Sequence, residues 1–292
     1  MRKGSEVKNN RVLRLITGFV LLAVFAAVMF ISIRNYDIDA VMTGAQPNTV
    51  VVTIEVTVTP GIHNIEEEPI PSEPVEETPV IDPDSPAGHA AALGLPEPPD
   101  IDITSWEYIL ANANNSISTY APPQLETLEG QQFDSRIIDP MKAFIAAARA
   151  EGLSVYLSSG YRNYADQEYL YNRKIGQGYS PEQAATIVAP PGTSEHQTGL
   201  VCDITDRYYE TKSWDELERT ELYKWMSVHC QEYGFIVRYP KDKSGLTTEE
   251  AKTSVTGIIY EPWHYRYVGK EAAEYIMGNG LALEEFIALY KG

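Results

Sequence analysis

Cysteine is scarce in this chain. Cys202 and Cys230 are the only two in 292 residues, too few for a fold framed by disulfides. Both are expected as buried free thiols, since unpaired cysteine is among the most buried residue types, with pairing in an oxidising compartment as the alternative. Basic charge is also short: 23 Lys and Arg face 41 Asp and Glu, a net charge of −18. No basic surplus exists to neutralise phosphates, which excludes a nucleic-acid partner. The acid is unevenly spread, because residues 65–100 carry many Glu and Asp and no Lys or Arg. Internal repeats and a repeated strand–helix–strand unit are both missing, which argues against a doubly wound parallel sheet.

The N-terminus supplies most of what looks unlike a globular domain. Arg2, Lys3, Lys8, Arg11 and Arg14 precede an apolar run from Leu15 to Ile33, broken only by Thr17, Gly18 and Ser32. At about 1.5 Å per residue such a run just spans a hydrocarbon core of roughly 30 Å. The positive charge before it predicts a cytoplasmic N-terminus and an extracytoplasmic remainder. A cleaved signal peptide fits less well: the run is long for one, no clean small-x-small site precedes Arg34, and no lipid-accepting Cys lies nearby. Residues 48–59 are β-branched and partly alternating, which reads as a strand or an extended piece of stalk. Residues 60–100 are rich in Pro and Glu, and such a segment buries too little apolar surface to fold. It is expected as an extended tether, reaching on the order of 100 Å at about 3 Å per residue. The expected organisation is therefore a basic segment over 1–14, a membrane anchor over 15–33, a linker over 34–100 and a globular domain over 101–292.

Within that domain helices and short strands come in mixed order. Trp106 to Leu110 reads as a short strand or turn. Asp139 to Glu151 reads as a helix with Met141, Phe144, Ile145 and Ala148 on one face, Asp139 as its cap and Gly152 as its stop. Further helices are expected over 164–174, from Pro181 with Ser180 as cap, over Glu216 to Tyr233, from about Gly269 to Met277, and over Leu283 to Tyr290. Strands are expected at Leu153 to Ser158, Val201 to Thr205, Phe235 to Tyr239 and Gly257 to Tyr260, with Tyr265 to Val268 continuing the last. The fold class is α+β, a small antiparallel sheet flanked by helices.

Histidine is sparse too, and that narrows the chemistry. Of five His, His63 and His89 fall in the linker and His229 on a long helix, and these read as satisfied core or surface groups. His196 and His264 sit instead among Gly, Pro and aromatic residues at strand edges or loops, where sites are built. Asp203 follows the apolar Leu200-Val201-Cys202, where a carboxylate is costly unless paired or metal-bound; a turn cap is the alternative. In a strand Asp203 shares a face with Val201 while Cys202 points the other way. Two His, one carboxylate and a free Glu are what a catalytic zinc site requires: three ligands, an open position for water, and a base for its proton. Glu261 is the candidate base. It lies three residues before His264, and positions three apart face opposite sides of a regular strand, so a bend or bulge near Pro262 is required.

Three motifs then stand in order: Ser159-Gly160-Tyr161-Arg162 with Gln167, Pro191 to Leu200 with Asp203, and Glu261-Pro262-Trp263-His264-Tyr265. Together they resemble the VanY-type zinc D-alanyl-D-alanine carboxypeptidases, over roughly residues 105–290. The resemblance implies a Hedgehog/DD-peptidase-like fold and Zn²⁺ held by His196, Asp203 and His264. It implies Glu261 as general base and Arg162 as the group that meets the developing oxyanion, where the residues alone leave a structural salt bridge open. Gln167 and Ser194 would hold the terminal residue of the substrate, a peptidoglycan stem peptide. Cys202 departs from the aliphatic or small residue expected there. D,D- and L,D-carboxypeptidase activities are not separated by these motifs. A zinc-bearing wall-binding module without turnover and an endopeptidase are the other readings.

Overall fold

The strand from Val201 to Thr205 (β4) is buried along its whole length, and the domain is assembled on its two faces. The computed structural model describes residues 81–206 and 214–291. The apolar run of 15–33, the β-prone stretch of 48–59 and the first part of the acidic segment, up to residue 80, lie outside these residues. Among the described residues no helix is long and apolar enough to cross a membrane.

β4 belongs to a four-stranded antiparallel sheet with Tyr156–Ser159 (β3), Phe235–Tyr239 (β5) and Glu261–Tyr267 (β6), in the order β3-β4-β6-β5. A separate hairpin pairs Leu125–Leu128 (β1) with Gln131–Asp134 (β2). The α+β class is as the sequence predicts. One face of the sheet is covered by Ile138–Ala150 (α2), whose Met141, Phe144, Ile145 and Ala148 are all buried, the stripe expected from their spacing. Phe144 is its centre, stacked on Trp225, Tyr233 and Phe235 and meeting Tyr265 edge-on. Cys202 lies in this cluster with Ile204. Cys202 and Cys230 are both free and buried. A second apolar cluster joins Ile236 and Val268 to Lys270–Gly278 (α8) and Leu283–Lys291 (α9).

Several elements depart from the sequence reading. Asp139 does not cap α2; the helix starts at Ile138 with no side-chain cap. The preceding 3-10 turn, Ser135–Ile137, runs straight into it and is itself capped by Asp134, which accepts from the Arg136 N–H. The long helix expected over Glu216 to Tyr233 is broken. Trp214–Glu218 (α5) ends before Thr220, whose hydroxyl caps Glu221–His229 (α6) by accepting from the Tyr223 N–H. A 3-10 turn, Cys230–Tyr233, then closes on Gly234. Gly257 to Tyr260 is not a strand and contributes a single bridge, Gly245 to Ile259. Trp106–Tyr108, by contrast, is a 3-10 turn, one of the two forms that the sequence left open there.

The segment read as linker up to residue 100 is ordered before its end. Pro86–Ala92 (α1) is capped by Ser85. His89 Nδ1 lies 2.7 Å from the Leu289 carbonyl, and the hydroxyls of Tyr290 and Tyr275 donate to the carbonyls of Pro99 and Pro96 at 2.6 and 2.7 Å. Small alanines let α1 lie close to α9, and the prolines, lacking N–H groups, still offer carbonyls to the tyrosines. Two further helices match their sequence signals: Tyr164–Gly176 (α3), capped by Asn163, and Pro181–Ile187 (α4), with a complete Ser180–Gln183 capping box. The short Thr248–Ala251 helix (α7) completes the set of described helices.

Gly199 joins the turn before β4 to the β2 hairpin. Its φ is +70°, and a Cβ there would stand 2.8 Å from the Asp134 nitrogen, which donates to the Gly199 carbonyl. Gly199→Ala should therefore destabilise the domain by about 1–3 kcal/mol through left-handed strain and displacement of the hairpin. Urea unfolding monitored by circular dichroism checks this, and an unchanged midpoint would contradict it.

Candidate metal centre

The site is built by strand register. β4 and β6 pair antiparallel with Asp203 directly opposite His264, so the two side chains leave the sheet on one face. His196 reaches the same point from the 3-10 turn Glu195–Thr198, which Gly199 reverses into β4. Candidate ligand atoms of His196, Asp203 and His264 all lie within 4.8 Å of one another. Asp203 Oδ1 is 3.0 Å from His264 Nδ1, and Asp203 Oδ2 is 3.5 Å from His196 Nε2.

The required irregularity at Pro262 is present. β5 pairs with β6 in a register that shifts between Val237, opposite Tyr265, and Tyr239, opposite Glu261. Extra residues on β6 are thus taken up in a bulge. It brings Glu261 round to the face of His264, with Glu261 Oε2 3.7 Å from His264 Nδ1.

These groups line one cleft of about 130 Å³ together with Arg162, Ser194, Tyr239, Ile258 and Trp263. Arg162 has a buried Nε without a hydrogen-bond partner. Ser194 lies on the cleft wall, whereas Gln167 does not line the cleft. It is buried behind the wall, where its amide donates to the Ala189 carbonyl at 2.7 Å. Tyr239 and Trp263 were not singled out from sequence. Tyr239 closes a strand whose pattern reads as core, and its ring lies 4.9 Å from that of His264.

Electrostatics separate the roles. Burial pushes the Glu261 carboxyl up to about 7, against the pull of His264 and Arg162. Burial also acts to raise Asp203, but His196, His264 and Arg162 outweigh it and hold that carboxyl down at about 2. Burial and the Arg162 charge push His196 down to about 3. For His264 the carboxylates around the ring, Asp203 foremost with Glu195 and Glu261, overcome burial and lift it to about 9. One carboxylate is thus kept ionised while its neighbour is poised to exchange a proton near neutrality.

The donor set fits zinc. Zinc takes imidazole nitrogen and carboxylate oxygen at about 2.0–2.2 Å in a tetrahedron, whose edges are then roughly 3.3 Å; the 3.0 and 3.5 Å separations are close to that. His196 Nδ1 lies 2.6 Å from the Gly160 carbonyl, a contact that fixes its proton there and leaves Nε2 free to ligate. Three donors with a fourth side open onto a cleft is the arrangement of a catalytic rather than a structural site.

Comparison with known proteins agrees with this geometry. Residues 130–270 match the family model described as VanY: D-alanyl-D-alanine carboxypeptidase. A D-alanyl-D-alanine carboxypeptidase of Enterococcus faecalis is 39% identical over 196 residues, 64% of this chain and 67% of that protein. Among solved structures, a mutant of the vancomycin resistance D,D-pentapeptidase VanY in complex with Zn(II) matches with a TM-score of 0.53 and 39% identity, covering 63% of this chain and 99% of that one. The LdcB LD-carboxypeptidase matches with a TM-score of 0.54 and 34% identity, covering 62% and 86%.

A metal that binds His264 through Nδ1 must displace the proton that this ring holds up to about pH 9 in the metal-free site. Apparent zinc affinity should therefore rise by about tenfold per pH unit from neutrality and level off above the His264 pKa. Zinc titrations in competition with a chelator of known affinity across that range check this, and an affinity independent of pH would contradict it.

Proposed function

The chain belongs to the VanY family of D-alanyl-D-alanine carboxypeptidases, and from that premise we propose that it removes the C-terminal D-alanine from peptidoglycan stem peptides. The observation that carries this is the convergence of His196, Asp203, His264, Glu261 and Arg162 on one small cleft. His196, Asp203 and His264 would hold zinc, which when bound lowers the pKa of a water and polarises the scissile carbonyl.

The chain's own residues supply the rest. Glu261 takes the proton of the attacking water and passes it to the leaving amine, a transfer favoured by a carboxyl that titrates near neutrality. The Arg162 guanidinium meets the negative charge that develops on the carbonyl oxygen, its buried Nε having no partner to give up. Ser194 on the cleft wall offers its hydroxyl to the terminal carboxylate, and Gln167 acts through the Ala189 backbone by fixing that wall. The comparable likeness to LdcB supports a second reading, L,D-cleavage of the tetrapeptide. Pentapeptide and tetrapeptide supplied side by side separate the two.

We extend the proposal to location. The basic residues before the 15–33 run support a single-pass anchor with a cytoplasmic N-terminus. The Pro- and Glu-rich segment after it supports a tether that holds the enzyme away from the membrane and within reach of the wall.

Glu261→Gln should lower D-alanine release by about 10²–10⁴-fold while zinc stays bound at one equivalent. Mass spectrometry of a stem pentapeptide incubated with the full chain, beside metal analysis, checks it. Undiminished turnover in that variant would remove Glu261 from the mechanism.

A further inference from the structure

Glu195 immediately precedes His196, yet its side chain is directed to His264. It is 1% exposed, and a carboxylate so placed is costly unless it is paired. Oε1 accepts from Arg238 Nε and from Arg266 Nη1, both at 2.8 Å. Both arginines are fully buried. Arg238 also donates to Glu284 through Nη1 and Nη2, at 2.9 and 2.6 Å. Arg266 donates through Nη2 to the carbonyls of Glu107 and Ile109, each at 2.8 Å. The two positive and two negative charges balance, and the two donors on Oε1 fix the carboxylate's orientation.

That leaves Oε2. It accepts no hydrogen bond, and it lies 3.7 Å from His264 Nε2, a buried nitrogen that also lacks a partner. A purely structural ion cluster would saturate both oxygens, because a buried acceptor left idle forfeits its hydration without return. Here the idle oxygen and the idle ring nitrogen face each other. On its other side the His264 ring presents Nδ1 to Asp203 and Glu261.

We propose that Glu195 is a positioning residue for His264: its free oxygen takes the Nε2–H as a hydrogen bond, which leaves the Nδ1 lone pair directed at the metal position. The imidazole is thereby held in one tautomer and one orientation. The proposal rests on the reading of His196, Asp203 and His264 as zinc ligands. It parallels the contact of His196 Nδ1 with the Gly160 carbonyl, so each ring is backed by an acceptor and each ligates through the opposite nitrogen. The arginines that orient Glu195 come from β5 and β6, so one network ties the turn bearing His196, the strand bearing His264 and the strand paired with it.

The test uses the full chain, stripped of metal and titrated with zinc against a competing chelator. Glu195→Gln presents an N–H₂ group where His264 needs an acceptor. It should weaken zinc binding by about 10–100-fold and shift the visible spectrum of the Co(II)-substituted protein. Glu284→Gln breaks the same network at its far end without touching His264. It should lower the melting temperature yet leave zinc affinity within about twofold, since a change remote from the ligands does not alter their orientation. Zinc affinity and Co(II) spectrum unchanged in Glu195→Gln would overturn the proposal, as would equal losses in both variants. Should Glu195→Gln not fold, Glu195→Asp keeps the charge for the arginines but withdraws it from His264, with the same expected loss of zinc affinity and the same overturning result. A wild-type chain that takes up no zinc would overturn the metal reading itself and the proposal with it, an outcome distinct from either.

Discussion

The pairing of Asp203 with His264 across β4 and β6 is the constraint on which the remainder depends. A slip of one residue would send each side chain to the opposite face of the sheet. Asp203 would then enter the cluster around Phe144, and Cys202 would take its place beside His264. The register is fixed by apolar burial on the far face, where Cys202, Ile204 and Tyr265 pack beneath α2. The same hydrophobic selection that folds the sheet therefore brings the candidate ligands together. Where strict alternation would fail, between Glu261 and His264, the β5–β6 register shift supplies the missing turn of the chain. A bulge beside a site re-aims one side chain without breaking the sheet.

The second constraint is charge. The domain buries Glu195, Asp203, Arg238, Arg266, His196 and His264 close together, a set that is stable only when each member has a partner. Glu195 is held ionised although burial opposes it, because Arg238, Arg266 and His264 surround it. Asp203 depends likewise on the two His and Arg162. Glu261 has less compensation and is left poised near 7. Unequal compensation of neighbouring carboxylates thus keeps Asp203 ionised and leaves Glu261 ready to exchange a proton in one small cleft.

Much of this was legible in the sequence, for local reasons. The apolar stripe of α2 has helical spacing, the Ser180–Gln183 capping box announces α4, and His196, Asp203, His264 and Glu261 stand out because His is rare and carboxylates beside apolar runs are costly. Even the bulge at Pro262 follows from period-two geometry. What was not legible depends on partners distant in the chain. Thr220 is not a strong helix breaker in composition, and only its hydroxyl, accepting from the Tyr223 N–H, shows that a new helix starts there. The α1 segment has a tether's composition, and only α9 gives it something to pack against. Gln167 lies within a motif but is turned behind Ala189. The signal for the Glu195 network lies in Arg238 and Arg266, which stand beside aromatic residues inside β5 and β6, where a buried arginine requires a carboxylate.

One face of the β4–β6 pair, with the turn before it, is expected to form a single zinc site of two imidazoles and one carboxylate, leaving Glu261 and both thiols outside it. X-ray absorption at the zinc edge of the singly loaded full chain tests this most directly. The expected result is a shell of nitrogen and oxygen at about 2.0–2.2 Å with the outer-shell scattering of two imidazoles. A sulfur shell at about 2.3 Å would contradict the account, because it would place zinc on the cysteines of the core instead.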